Sequence, residues 1–156
     1  MGAIGQRTAK LAQAFGCKVL AWNRTPKDVE GVTLVDKETL LKESDIITLH
    51  IALNEETRNF ITAKEIDMMK PSAIIINAAR GPIINTNDIS EALRNGRISG
   101  AALDVFDTEP PLDKNNPLLN LPNTMLMPHI GFATEEAFEL RLGIVVKNIE
   151  KYLANM

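Results

Sequence analysis

Five short apolar runs punctuate this chain: Lys18–Trp22, Ile46–Ile51, Ala73–Ile76, Ala101–Val105 and Met125–Met127. Several are apolar at successive positions, so both faces of the strands they predict must be covered, as in a parallel sheet enclosed by helices. The segments between them carry helical spacing. Ile4, Ala9, Leu11, Ala12 and Phe15 recur near one helical face, and Gly16 stops that helix. Thr62 and Glu65 predict a capping box before Ile66, Met68 and Met69. Asp88–Arg94 predicts a short helix closed by Gly96. From Thr134 the pattern becomes one long helix, with Phe138, Leu142, Val145, Ile149 and Leu153 spaced by four, three, four and four. Thr134 suits its N-cap, and Glu135 and Glu136 suit its positive end. Residues 109–122 are proline-rich and predict an irregular loop. The alternation of strand and helix predicts an α/β fold with a doubly wound parallel sheet.

Composition narrows the class. A chain of 156 residues has room for a single domain with its own core, here residues 1–156. With 45% hydrophobic and 24% charged residues it is a folded chain, and 4% aromatics leaves aliphatic packing to fill the core. A net charge of −3 gives no electrostatic case for a nucleic-acid partner. The lone cysteine, Cys17, excludes an intrachain disulfide, suits a reducing compartment, and is read as a small buried apolar side chain. No apolar run approaches the roughly 20 residues that span a bilayer. The N-terminus lacks the basic and apolar regions of a signal peptide. A cytoplasmic location is expected, with no membrane partner and no metal site.

The opening Met1-Gly2-Ala3-Ile4-Gly5 fits the dinucleotide fingerprint G-x-G-x-x-G from its second position onward. The first glycine and its preceding strand are missing from the match. The sheet is therefore expected to lack its first strand, and the chain to be a fragment or to start at an internal methionine. Gly2, Ala3, Ile4 and Gly5 are expected to hold a pyrophosphate, with the Ala3 and Ile4 amides at a helix N-terminus. The ribose-binding acid should follow at the end of the second strand. That position, 18 residues beyond Gly5, is Asn23, followed by Arg24, Thr25 and Lys27. A neutral residue beside an arginine suits the extra phosphate of NADP, so NAD or NADP is expected, with NADP tolerated or preferred.

Three later segments are more specific: Asn77-Ala78-Ala79-Arg80-Gly81 after one strand, Ala102-Leu103-Asp104-Val105-Phe106 running into Asp107-Thr108-Glu109-Pro110-Pro111, and Met127-Pro128-His129-Ile130-Gly131 after the last. With the opening, with Ser44-Asp45-Ile46 through His50, and with Asn54-Glu55-Glu56-Thr57-Arg58, they resemble the D-2-hydroxyacid dehydrogenase family over the entire chain. The resemblance implies a Rossmann-type NAD(P)-binding domain and hydride transfer between NAD(P) and C2 of a small D-2-hydroxy acid or 2-keto acid. It assigns catalysis to Arg80, Glu109 and His129. A planar guanidinium can grip a carboxylate with two hydrogen bonds. An imidazole can move the hydroxyl proton. A carboxylate beside an imidazole favours the charged ring and fixes its tautomer.

The resemblance also implies cofactor contacts for Ala52, Ala78, Arg80, His129 and Gly131, with Asp104 at the carboxamide of the nicotinamide. Ala52 stands where the family often has proline, and Phe132 where many relatives have glycine. His50 is read as structural. The helix over 134–156 is expected to return to a substrate domain that the chain does not contain, which leaves the fragment inactive alone, and a homodimer through the nucleotide domain is implied. A dinucleotide-sensing corepressor-like binding module is the alternative reading. Formate dehydrogenases are disfavoured, because their pattern has glutamine where Glu109 stands.

Overall fold

The computed structural model describes residues 1–109 and 112–156. Pro110 and Pro111, which close the motif begun at Asp107, lie outside the described residues. In chain order the elements are α1 (Ala3–Ala14), β1 (Val19–Ala21), β2 (Val32–Leu34), α2 (Lys37–Glu43), β3 (Ile46–Leu49), α3 (Ala63–Ile66), β4 (Ile74–Asn77), a 3₁₀ turn (Gly81–Ile83), α4 (Thr86–Arg94), β5 (Gly100–Leu103), β6 (Thr124–Leu126) and α5 (Glu135–Leu153).

Local chemistry sets the boundaries. Gly16 adopts φ +80°, and the Cys17 amide returns to the Ala12 carbonyl at 3.0 Å, which ends α1. The same turn leaves Cys17 exposed, so its reading as a buried apolar side chain is corrected. The Glu65 carboxylate accepts from Thr62 N at 3.0 Å and Thr62 Oγ1 at 2.6 Å. The helix it starts stops at Ile66, so Met68 and Met69 lie past its end. Asn85 caps α4 by accepting from the amides of Asn87 and Asp88, both at 3.1 Å. Thr134 Oγ1 caps α5 by accepting from Ala137 N at 3.2 Å.

Every strand pairing is parallel. β3, β4, β5 and β6 form one ladder in that order, and β1 and β2 form a second. The two ladders do not hydrogen-bond to each other, so β1 and β3 each present an edge without a strand partner among the described residues. Helix α1 spans the two. It packs on β1, and a Cβ on its buried Gly5 would lie 3.6 Å from His50 Cβ, one residue past β3. The core is aliphatic, as expected. Ile47, Leu49, Ile75, Ala101 and Leu103 from the strands meet Ile66, Ile89 and Leu93 from the helices.

Helix α5 stands apart from this core. None of its residues is buried, and Phe138, Leu142, Val145, Ile149 and Leu153 are each at least half exposed. The accessible surface is 10540 Å², where a compact monomer of this length has about 7,800 Å². Unpaired strand edges and an uncovered apolar helix both favour association. Residues 1–156 expressed by themselves are expected to form dimers or larger species at micromolar concentration. Light scattering coupled to size exclusion checks this, and a sharp monomer peak would contradict it.

Candidate active site

Parallel pairing brings the C-terminal ends of neighbouring strands to one edge, where open α/β sheets bind ligands. Asn77 pairs with Leu103, and Leu103 with Leu126, so three loops leave the sheet at one level. They carry Arg80, Glu109 and His129.

The Arg80 loop is built by a buried amide. Asn77 is 1% exposed; its Nδ2 donates to the Arg80 carbonyl at 2.9 Å, and its Oδ1 accepts from Ala79 N at 3.0 Å. Both ends of the side chain are thus satisfied inside the turn they shape. The Arg80 side chain is exposed, bonds to the Ala79 carbonyl, and has no acidic partner among the described residues. Next to it, a Cβ on Gly81 would fall 2.0 Å from the carbonyl carbon of Phe106. Here the chain after β4 touches the chain after β5 backbone to backbone.

Phe106 continues the connection. Its amide donates to Glu109 Oε1, and Glu109 Oε2 accepts from His129 Nδ1. The imidazole is 35% exposed and the carboxylate 22%. The His129 ring meets Phe132 edge-on, with centroids 5.7 Å apart. Its backbone sits at φ +55°, a region a non-glycine residue rarely occupies. Asp104 Oδ1 accepts from Ile130 N at 2.8 Å and Oδ2 from Gly131 N at 2.7 Å. Asp104 therefore contacts the histidine loop directly, a bond network that the sequence does not show.

The expected cofactor residues lie at α1 and along the same edge. Gly2 is the N-cap of α1, with Ala3 and Ile4 exposed in the first turn. A Cβ at the buried Gly5 would meet His50 at an ordinary contact distance of 3.6 Å. Nothing lies within 4 Å of a Cβ at Gly2. This end of a twelve-residue helix offers free amides and open space, which fits a pyrophosphate. Asn23 Nδ2 bonds to the Thr25 carbonyl, and Arg24 pairs with Glu56 at 2.9 Å. That pair joins the loop after β1 to the loop after β3. Ala52 lies on the latter, its carbonyl accepting from Thr57 Oγ1 at 2.7 Å. Ala78 is exposed just past β4. Among the described residues no group of three or more His, Cys, Asp or Glu side chains could hold a metal. Among the described residues no helix is long and apolar enough to cross a membrane.

The profile of the NAD-binding domain of D-isomer specific 2-hydroxyacid dehydrogenases matches residues 1–131. The chain belongs to that family. It is 48% identical over 152 residues to a glyoxylate reductase of Thermococcus litoralis, covering 95% of this chain and 45% of the relative. The structure superposes with a TM-score of 0.87 and 39% identity on an acyclic imino acid reductase in complex with NADPH and D-Arg, covering 99% of this chain and 49% of that one. It superposes with 0.86 and 32% identity on the NAD-complexed D-isomer specific 2-hydroxyacid dehydrogenase of Lactobacillus delbrueckii ssp. bulgaricus, covering 94% and 49%. The chain thus spans about half the length of the relatives it matches. The doubly wound, Rossmann-type reading and the expectation of NAD or NADP agree with these findings.

Asn77 and Gly81 were missed as functional positions by sequence reading, although both stand in the Arg80 motif. A polar residue ending an apolar strand was the available signal for Asn77. Gly81→Ala places its methyl against backbone, which cannot swing aside as a side chain can. A destabilisation of about 3 kcal/mol is expected, read by chemical denaturation. An effect below about 0.5 kcal/mol would contradict the close approach.

His50 has a structural place, facing α1, with Thr48 Oγ1 at 3.2 Å from its Nε2. Burial pushes its imidazole below the ordinary value. The unfolded chain therefore binds the proton more readily than the folded one. The stability His50 contributes is present above the unfolded value, about 6.5, and is lost as pH falls from there through the lower folded value. The melting temperature should drop between about pH 7 and pH 5, and drop less in His50→Gln. An identical pH dependence in the variant would contradict this.

Proposed function

We propose that the protein carrying this chain transfers hydride between NAD(P) and C2 of a small D-2-hydroxy acid or 2-keto acid. The observation that carries the reading is the Glu109–His129 contact on the same sheet edge as an Arg80 guanidinium without an acidic partner among the described residues. Glu109 accepts and does not donate when ionised, so the neutral imidazole keeps its hydrogen on Nδ1 and its lone pair on Nε2. That lone pair takes the C2 hydroxyl proton when the acid is oxidised. The charged ring returns a proton to the same oxygen when the ketone is reduced. Arg80 holds the substrate carboxylate through two parallel N–H donors, which orients C2 toward His129. Bound nicotinamide supplies or accepts the hydride.

Gly2, Ala3, Ile4 and Gly5 would hold the pyrophosphate, with Asn23, Arg24 and Ala52 toward the adenosine. Ala78, Arg80, Asp104, His129 and Gly131 lie toward the nicotinamide. Asn23 and Arg24 support tolerance of NADP, while Glu56 competes for the same guanidinium. The exposed apolar face of α5 supports a covering domain contributed by the rest of the protein. The family resemblance supports a homodimer through the nucleotide domain. The free thiol of the lone cysteine supports a cytoplasmic location.

The test uses the full protein containing this chain, with reduced cofactor and glyoxylate, hydroxypyruvate or pyruvate as oxidant. His129→Ala should lower kcat by about 10²- to 10⁴-fold. Arg80→Ala should raise KM for the keto acid as well as lower kcat. Near-normal turnover in either variant would reject the mechanism.

A further inference from the structure

The loop 127–131 holds His129 in a left-handed conformation, and among the described residues one side chain outside the loop grips its backbone at the following two residues. Asp104 leaves the end of β5 with its own amide tied to the Asn77 carbonyl at 2.9 Å. Its two carboxylate oxygens take the consecutive amides of Ile130 and Gly131 at 2.8 and 2.7 Å. A Cβ at Gly131 would come 2.9 Å from Asp104 Oδ2, closer than real Cβ contacts, so any side chain there must push that oxygen off its present position. His129 φ is +55°, and its Nδ1 meets Glu109 from that backbone.

We infer that Asp104 is a positioning residue: its carboxylate latches the Ile130 and Gly131 amides and thereby holds His129 against Glu109. The inference rests on the proton-transfer reading of His129. It goes beyond the carboxamide role implied by resemblance, because both Asp104 oxygens are also engaged within the chain. A carboxylate has about four lone-pair directions, so the latch leaves room for a cofactor contact without depending on one. Two consecutive amides bound by one ionised group form a charge-assisted, two-point attachment. Such an attachment fixes both the position and the direction of the chain that follows His129. An asparagine in its place offers one acceptor oxygen and turns its NH₂ group toward the second amide, so donor faces donor. Misplacing a catalytic group by about 1 Å costs on the order of 10²-fold in rate.

The experiment compares Asp104→Asn, Gly131→Ala and the double variant in the full protein. It measures kcat, KM for the keto acid, the dissociation constant of reduced cofactor, and the melting temperature. Gly131→Ala keeps the carboxylate and opens the latch by collision; Asp104→Asn keeps the glycine and removes one acceptor. Both should lose about 10²-fold in kcat at saturating cofactor, with KM for the keto acid within about twofold of the parent. The double variant should be no worse than the more severe single variant, because both break the same latch. An unchanged kcat in Gly131→Ala, or a double variant clearly worse than the more severe single one, overturns the inference. If Gly131→Ala does not fold, Asp104→Asn decides alone. A kcat loss at saturating cofactor supports the latch, and an unchanged kcat overturns it. His129→Ala tests the underlying reading separately, since a fully active His129→Ala rejects proton transfer whatever Asp104 does.

Discussion

The parallel register that sets Asn77 beside Leu103 and Leu103 beside Leu126 is the constraint on which the site depends. It aligns three strand ends, so three chemically different loops begin at one height. Each loop is then shaped by a polar group that spends its bonds on backbone. Asn77 closes the arginine loop, Glu109 takes the Phe106 amide, and Asp104 takes two amides beside His129. The loops also touch one another, through Gly81 on Phe106 and through Glu109 on His129. Glu109 and His129 therefore meet, with Arg80 on the same sheet edge, because of β4, β5 and β6, and not because of any local sequence proximity.

Much of this was legible from residues. The helix α1 was readable from its apolar face and Gly16, and α5 from a spacing of three and four behind Thr134. Four-residue strands such as β3 and β4 were readable as apolar runs, but the expectation that both their faces are covered is corrected: Ile47, Leu49 and Ile75 are buried, while Ile46 and Ile74 are exposed. What escaped was short or polar. β2 has three residues, and its middle residue, Thr33, is exposed, so it shows neither a continuous apolar run nor clear alternation. Helix α2 follows directly, started by Asp36, whose carboxylate accepts from the Thr39 amide at 2.8 Å. An Asp three residues before a Thr is a weak mark for a seven-residue helix.

The site shows the same division. Motif order pointed to Arg80, Glu109 and His129, because the chemistry proposed for them is carried by their own side chains. The supporting contacts were hidden, because they run from side chain to backbone across 26 or 27 residues. A bond of that kind is invisible until the strands are paired. The split between the two ladders likewise becomes concrete only in three dimensions, where α1 leans on both and the Arg24–Glu56 pair joins their loops.

The contact of Gly81 with the Phe106 carbonyl carries a consequence for anyone diversifying the arginine loop. Codon 81 is closed to every replacement, since even the smallest side chain enters the backbone of the neighbouring segment. Libraries aimed at a new acid should leave it untouched and vary Ala78 and Ala79, whose exposed and half-buried methyl groups leave space for growth.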